Sequence, residues 1–156
     1  MKPLDPPRPV ALARLMVVAG LLCGAGAAYA ADFVSVGEGS AILYDAPSLK
    51  AKKKFAVNRY MPFEQVVTLD NWVKVRDSKG EMSWVEKRVL SNKRYVFALP
   101  PLLDVRAEAD LGAARLFQVR QQVALEHIES TGTGWVKVRH QDGETGYVRS
   151  TEVWGD

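Results

Sequence analysis

The chain has 156 residues, a formal charge of +3, 47% hydrophobic residues and one cysteine. That length holds one or two small domains, and a single thiol excludes both an internal disulfide framework and a multi-thiolate metal site. Residues 1–30 carry three basic residues and one acid, and without them 18 basic and 17 acidic residues remain. The basic balance therefore belongs largely to the start of the chain, which argues against nucleic acid as a partner.

Residues 1–30 read as a secretory signal with a helical apolar centre. Lys2, Arg8 and Arg14 precede the apolar stretch Leu15 to Leu22, and the small-residue run ends in Ala28-Tyr29-Ala30, an A-x-A site. Leu15 to Ala30 is 16 residues, short of the roughly 20 that a spanning helix needs. Cleavage after Ala30 predicts a periplasmic or secreted protein with no stable membrane anchor. It also removes Cys23. Lipidation of Cys23 is disfavoured because Leu22 stands where a small residue is wanted.

After the signal, Phe33-Val34-Ser35-Val36 predicts a short strand, Gly37 to Ser40 a turn, and Ala41-Ile42-Leu43-Tyr44 a second apolar stretch. Asp45-Ala46-Pro47-Ser48 opens an irregular loop that takes in Lys50 and Lys52-Lys53-Lys54. This basic run reads as a solvated loop, with contact to an anionic surface as the alternative. Phe55 to Val57 and Met61 to Thr68 then lead into Trp72-Val73-Lys74-Val75-Arg76. The run Glu86 to Leu90 is long enough for one helical turn. Tyr95 to Leu99 predicts a strand stopped by Pro100-Pro101.

The stretch from Trp72 recurs. Trp72-Val73-Lys74-Val75-Arg76, Gly80-Glu81 and Trp84-Val85 match Trp135-Val136-Lys137-Val138-Arg139, Gly143-Glu144 and Tyr147-Val148 at a constant offset of 63. Self-similarity of this kind marks a duplicated module. Upstream, Leu103 to Ala107 and Gln122 to Ile128 align with the stretch near Tyr44 and with Met61 to Val67 at an offset of 61. This reading implies a two-residue insertion in the turn Ser130 to Gly134. Leu111 to Val123 is expected to be a loop or single turn.

Each copy of the repeat reads as a β-hairpin. With Ser78-Lys79-Gly80 as a three-residue loop closed by a left-handed glycine, Val73 faces Val85, Lys74 faces Trp84 and Val75 faces Ser83. The valines then share the core face. Trp72 and Trp84 lie outside with Lys74 and Arg76, as do Trp135 and Tyr147 with Lys137 and Arg139. An even-numbered loop would turn Trp84 inward.

These residues resemble the bacterial Src-homology-3 family, in tandem. The resemblance rests on Pro47-Ser48, Pro62 to Val66, Trp72 to Val75, Gly80, Trp84-Val85 and Leu90 in the first copy. In the second it rests on Leu103-Asp104-Val105-Arg106, Trp135 to Val138, Asp142-Gly143 and Gly146-Tyr147-Val148. Tyr44-Asp45 and Ser83 depart from the family pattern, and the second copy lacks the Pro-Ser. The resemblance implies an all-β fold of two small, SH3-like, partly open β-barrels over residues 31–94 and 95–156, following the signal helix. It further implies a non-catalytic module that binds cell-wall (peptidoglycan) peptide or an envelope protein. The alternative is a structural or assembly protein of the envelope whose aromatics pack between its own barrels.

Nothing in the sequence suggests catalysis. His127 and His140 are the only histidines and lack ligand spacing. There is no nucleophile elbow, dinucleotide motif or phosphate loop. No catalytic residue, metal or cofactor is expected. Aromatics on a polar face mark recognition surfaces, so Tyr44, Trp72, Trp84, Trp135 and Tyr147 are the candidate ligand-binding residues. Residues 31–94 carry a net +4 and residues 95–156 a net −3. This predicts docked barrels oriented by charge, with Phe97, Leu99 and Leu102 supplying the apolar contact.

Export is directly testable. Intact-mass measurement of the protein recovered from the cell envelope should show a chain beginning near Ala31. Retention of Met1, or a lipid adduct on Cys23, would refute the signal reading.

Overall fold

A computed structural model describes residues 32–156. The predicted signal helix lies outside them. The first sheet comprises β1 (Phe33–Val36), β2 (Ala41–Tyr44), β3 (Lys53–Val57), β4 (Pro62–Leu69), β5 (Trp72–Arg76), β6 (Met82–Glu86) and β7 (Leu90–Ser91). The second comprises β8 (Tyr95–Ala98), β9 (Leu102–Arg106), β10 (Arg115–Arg120), β11 (Ala124–Ser130), β12 (Trp135–Arg139), β13 (Thr145–Arg149) and β14 (Val153–Trp154). Single 3-10 turns, Lys87–Val89 and Ser150–Glu152, follow β6 and β13, where the sequence predicts one helical turn per copy.

The strand orders are β3-β2-β6-β5-β4-β1-β7 and β10-β9-β13-β12-β11-β8-β14, which is the same topology twice. Both are open, with β3 and β7, or β10 and β14, as edges. Val36, Leu43, Phe63, Val73, Val75 and Val85, from five strands, meet in one buried cluster. Strands in a flat sheet lie about 4.8 Å apart, so side chains from its far ends could not meet unless the sheet curled around them. Val96, Leu103, Val105, Leu125, Val136, Val138 and Val148 form the equivalent cluster in the second copy.

The hairpin register is the one that the odd loop requires. Val73 pairs with Val85, Lys74 with Trp84 and Val75 with Ser83, and Val136, Lys137 and Val138 pair with Val148, Tyr147 and Gly146. Gly80 and Gly143 hold φ of +85° and +99°, where a side chain is strained. The Gly80 N–H donates to the Asp77 carbonyl at 3.0 Å. The Asp77 carboxylate accepts from the Lys79 and Glu81 amides at 2.9 and 2.8 Å, which satisfies the turn's free donors.

The upstream alignment needs correction. Phe33, Val34 and Ser35 oppose Glu64, Phe63 and Pro62, while Tyr95, Val96 and Phe97 oppose Glu126, Leu125 and Ala124. Those pairs lie 62 residues apart, not 61, and Tyr60 and Gln122, both with left-handed φ, obey the same spacing. The step to 63 is thus a one-residue insertion. Leu69 and Trp72 pair across a two-residue turn, and the second copy has one residue more between Thr131 and Trp135. An offset of 61 matches each buried side chain to an outward one, because neighbouring strand residues face opposite ways.

Two loop expectations also fail. Residues 115–120 form the edge strand β10 along β9, because the sheet needs a partner there and local helical propensity is weak beside tertiary pairing. In the first copy, Lys53 and Lys54 open β3 instead of closing a loop. The Lys54 ammonium lies 2.6 Å from Glu81 and donates to the Met82 carbonyl at 2.9 Å, fastening this edge strand. Lysine on an edge also discourages strand addition by other chains.

The two copies meet through aromatics. Tyr60 stacks on Tyr95 at 4.4 Å between centroids, and Phe33 meets the Trp154 ring edge-on at 5.3 Å. The buried Tyr95 N–H donates to Ser35 Oγ at 3.1 Å, and the Arg94 guanidinium donates to the Gly155 carbonyl at 2.7 Å. A Cβ on Gly155 would fall 2.6 Å from the Tyr95 carbonyl and 3.1 Å from Pro62 Cβ, so only glycine fits. Leu99 and Leu102, expected to carry this contact, are exposed instead. Leu99 follows β8 and Leu102 opens β9, whereas the junction is built from β1, the segment before β4, the start of β8, and β14. Lys93 and Glu126, at 3.2 Å, form the one ion pair bridging residues 31–94 and 95–156 among the described residues. The Lys93 pKa is raised, first by Glu126 and then by the Tyr95 hydroxyl. Exposed pairs of this kind contribute little, so aromatic burial is the main attraction.

Val75→Ala and Val138→Ala should each cost about 1–3 kcal/mol in denaturant unfolding, from lost apolar transfer and the cavity left. An unchanged midpoint for either would contradict the register. Gly155→Ala should loosen the junction while leaving both cores intact, read as independent tumbling of the two sheets in NMR relaxation.

Candidate recognition faces

The period-2 alternation that sends Val73, Val75 and Val85 inward sends their neighbours to the outer face of the same strands. In the first copy that face gathers Tyr44 from β2, Trp84 from β6 and Trp72 with Lys74 from β5. Tyr44 is the cross-strand neighbour of Trp84 and meets Trp72 edge-on at 5.3 Å and 90°. The Lys74 ammonium sits 5.9 Å from the Trp84 ring. Tyr44 is only 5% exposed, while Trp72 and Trp84 are half-buried. Thus Tyr44 is the packed base of the aromatic row, and the two indoles are its accessible part.

Ion pairs frame this face. Arg76 grips Glu64 through two hydrogen bonds of 2.7 and 2.6 Å. Arg88 grips Glu86 at 2.7 and 3.0 Å, and that carboxylate raises the arginine's already high pKa. The carboxylates beside the first face are therefore occupied.

The second copy places Tyr147 and Trp135 on the corresponding face. Lys137 repeats Lys74, its ammonium 5.9 Å from the Tyr147 ring. Trp135, expected outside, is on the outer face but only 9% exposed. It forms part of a cleft of about 310 Å³ with Leu102, Asp104, Arg106, Leu111, Gln118, Arg149 and Glu152. The Arg149 guanidinium stands 5.8 Å from the Trp135 ring. The structure thus brings Tyr44, Trp72 and Trp84 together in one copy, and Trp135 and Tyr147 in the other.

Sequence reasoning missed the residues by which the faces differ. Arg106 opposes Tyr147 as Tyr44 opposes Trp84, so a guanidinium replaces the phenol. Arg149 opposes Trp135 as Glu86 opposes Trp72, so a cation replaces an acid. The offset of 61 concealed the first exchange by matching Tyr44 to Val105. The offset of 63 held the second in plain view.

The histidines do not form a catalytic arrangement. His127 Nε2 lies 3.0 Å from Ser130 Oγ and 3.1 Å from Asp156 Oδ1, and Ser130 also hydrogen-bonds Asp156. A nucleophilic triad needs the acid on one ring nitrogen and the hydroxyl on the other. Here both contacts fall on the same nitrogen and tie down the last residue. His140 Nδ1 lies 2.9 Å from Asp142 in the hairpin turn. That contact, followed by the Glu144 amide, lowers the Asp142 pKa. Among the described residues no group of three or more His, Cys, Asp or Glu side chains is placed to hold a metal, and no helix is long and apolar enough to cross a membrane.

Among curated proteins, none matches the chain. Solved structures of similar shape include NlpC2 from Trichomonas vaginalis, at 10% identity and a TM-score of 0.38, over 81% of this chain and 49% of that one. NlpC1 from the same organism matches at 11% identity and a TM-score of 0.38, over 88% and 50%. An NlpC/P60 family protein from Bacillus cereus ATCC 10987 matches at 13% identity and a TM-score of 0.35, over 78% and 55%. The chain spans about half the length of each. The bacterial SH3 domain model matches residues 37–92 and again residues 100–155, so the chain belongs to the bacterial SH3 domain family and carries that domain twice.

Proposed function

We propose that this protein is an exported, non-catalytic binding module of the cell envelope, periplasmic or secreted, that holds cell-wall peptide against its aromatic outer faces. The observation that carries the reading is the row Tyr44–Trp72–Trp84. Two half-buried indoles lie on the polar side of a sheet whose other side already packs the core. They contribute nothing to that core, and the junction between copies uses a different aromatic set: Phe33, Tyr60, Tyr95 and Trp154. This observation also weighs against the assembly alternative, in which the outer-face aromatics would pack between the barrels. Family membership supports a binding role in place of catalysis, and an envelope protein is the other occupant that the same chemistry would accept.

The test is co-sedimentation with isolated cell-wall sacculi. The full chain should pellet with them, and Trp72→Ala should weaken the association by about 1–3 kcal/mol with a smaller loss of stability. Tyr44→Phe should behave as wild type, since its ring is packing and not contact surface. A wild-type chain that stays in the supernatant, or a folded Trp72→Ala protein that pellets equally well, would refute the assignment.

A further inference from the structure

The cleft over Trp135 has an unusual charge pattern. Asp104 is fully engaged: it accepts from Gln118 Nε2 at 2.7 Å and lies 3.5 Å from Arg106 and 3.6 Å from Arg115. Arg106 also donates to the Ala113 carbonyl at 2.9 Å. Two charged groups remain. Among the described residues, neither the Arg149 guanidinium nor the Glu152 carboxylate has a side-chain hydrogen bond or an ion pair, and the two do not pair with each other. A free cation and a free anion share one small cleft above a nearly buried indole.

This pattern is not a requirement of the fold. The first copy builds the same sheet with Glu86 in place of Arg149, Val89 in place of Glu152, Ile42 in place of Asp104 and Tyr44 in place of Arg106. There Glu86 is closed off by Arg88, and Val89 packs against the core. All four exchanges place a charge, or reverse one, around the same tryptophan. The Arg149 guanidinium meets the Trp135 ring as a cation at 5.8 Å, a contact that uses none of its N–H groups. They are left to grip a carboxylate. Leu102 and Leu111, both exposed at the rim, offer apolar contact to whatever enters.

We infer that this cleft is a site for a small zwitterion, its carboxylate on Arg149 and its ammonium on Glu152. The ligand class is a free amino acid or a dipeptide with both termini unblocked. A volume of 310 Å³ lies at the small end of ligand pockets, which suits such a fragment better than a folded partner. The inference rests on the wall-peptide reading above for the ligand's source, but not for its chemistry. It assigns the second copy a selectivity for charge that the first copy lacks.

The test is an NMR titration of the full-length ¹⁵N-labelled chain with Ala-Ala, N-acetyl-Ala-Ala and Ala-Ala-amide. Ala-Ala should give a saturable shift of the Trp135 indole N–H, and blocking either end should weaken binding by roughly tenfold. Arg149→Gln should abolish the preference for Ala-Ala over the amide. Glu152→Gln should abolish the preference over the acetylated form. Both positions lie outside the core clusters, so the amide spectra should otherwise be retained. Free alanine as a fourth probe separates an amino-acid site from a peptide site. No saturable indole shift, or selectivity unchanged by the two substitutions, would overturn the inference. Sacculus binding with no Ala-Ala binding would overturn it while the proposed function stands. Ala-Ala binding with no sacculus binding would support the site and refute the wall reading.

Discussion

The architecture depends on the register of one hairpin, made twice. With three residues in the loop and a left-handed glycine closing it, Val73, Val75 and Val85 share the inner face. A slip of one residue would drive Trp72 and Trp84 into a core shaped for valines and expose the valines. Each fully buried valine contributes on the order of 1.5–3 kcal/mol of apolar transfer, so such a slip would forfeit most of what holds a unit of about 60 residues together. Asp77 reinforces the register by holding the turn amides. The outer face inherits its geometry from this inner one: Trp84 sits beside Lys74 and Tyr44 because Val85 sits beside Val73.

A curled sheet of this size buries little, and the junction extends the buried surface. Tyr95 is the pivot. Its ring stacks on Tyr60, its amide donates to Ser35, and its carbonyl leaves room only for a glycine at 155. The amide matters most, since a buried donor without a partner would cost about 1–3 kcal/mol. Opposite net charges on the two halves are real, yet they meet in only one ion pair among the described residues. Directional aromatic contacts and one buried hydrogen bond set the arrangement. Charge acts at the edge.

How much of this was legible in the sequence follows from which signals are local. The hairpins were, because alternation and a glycine turn act over about a dozen residues. So was the duplication, since Trp135 to Val148 repeats Trp72 to Val85 without a gap. Strand β10 was not, because residues 115–120 extend only when β9 offers a ladder, and no local pattern announces that pairing. The spacing upstream of the repeat was misjudged by one residue. Leu103 and Val105 fit an apolar pattern at either offset until the facing strand is known. The docking residues escape for a similar reason: Leu99 and Leu102 look like contact residues by composition, but the junction forms at the start of β8, around Tyr95. Tyr44, Trp72 and Trp84 were found as a set. That Tyr44 supports the row instead of presenting itself is a matter of tertiary cover, which alternation alone does not report.

The most informative comparison is between the two copies. Positions that the fold cannot spare are apolar in both, as with Val73 and Val136, Val75 and Val138, Val85 and Val148. Positions that the fold can spare have diverged, often in charge. Around the first tryptophan stand a phenol, an isoleucine, a valine and a glutamate already paired with arginine. Around the second stand two arginines, an aspartate and a glutamate. Charge has changed elsewhere too, as from Lys79 to Asp142 and from Arg59 to Gln121, but four of these exchanges meet in one cleft, while Lys74 and Lys137 keep the same place over their aromatic rings. Because the inner face stays constant while four neighbouring outer groups differ, the residues that fold each copy are separate from those that give its outer face its charge.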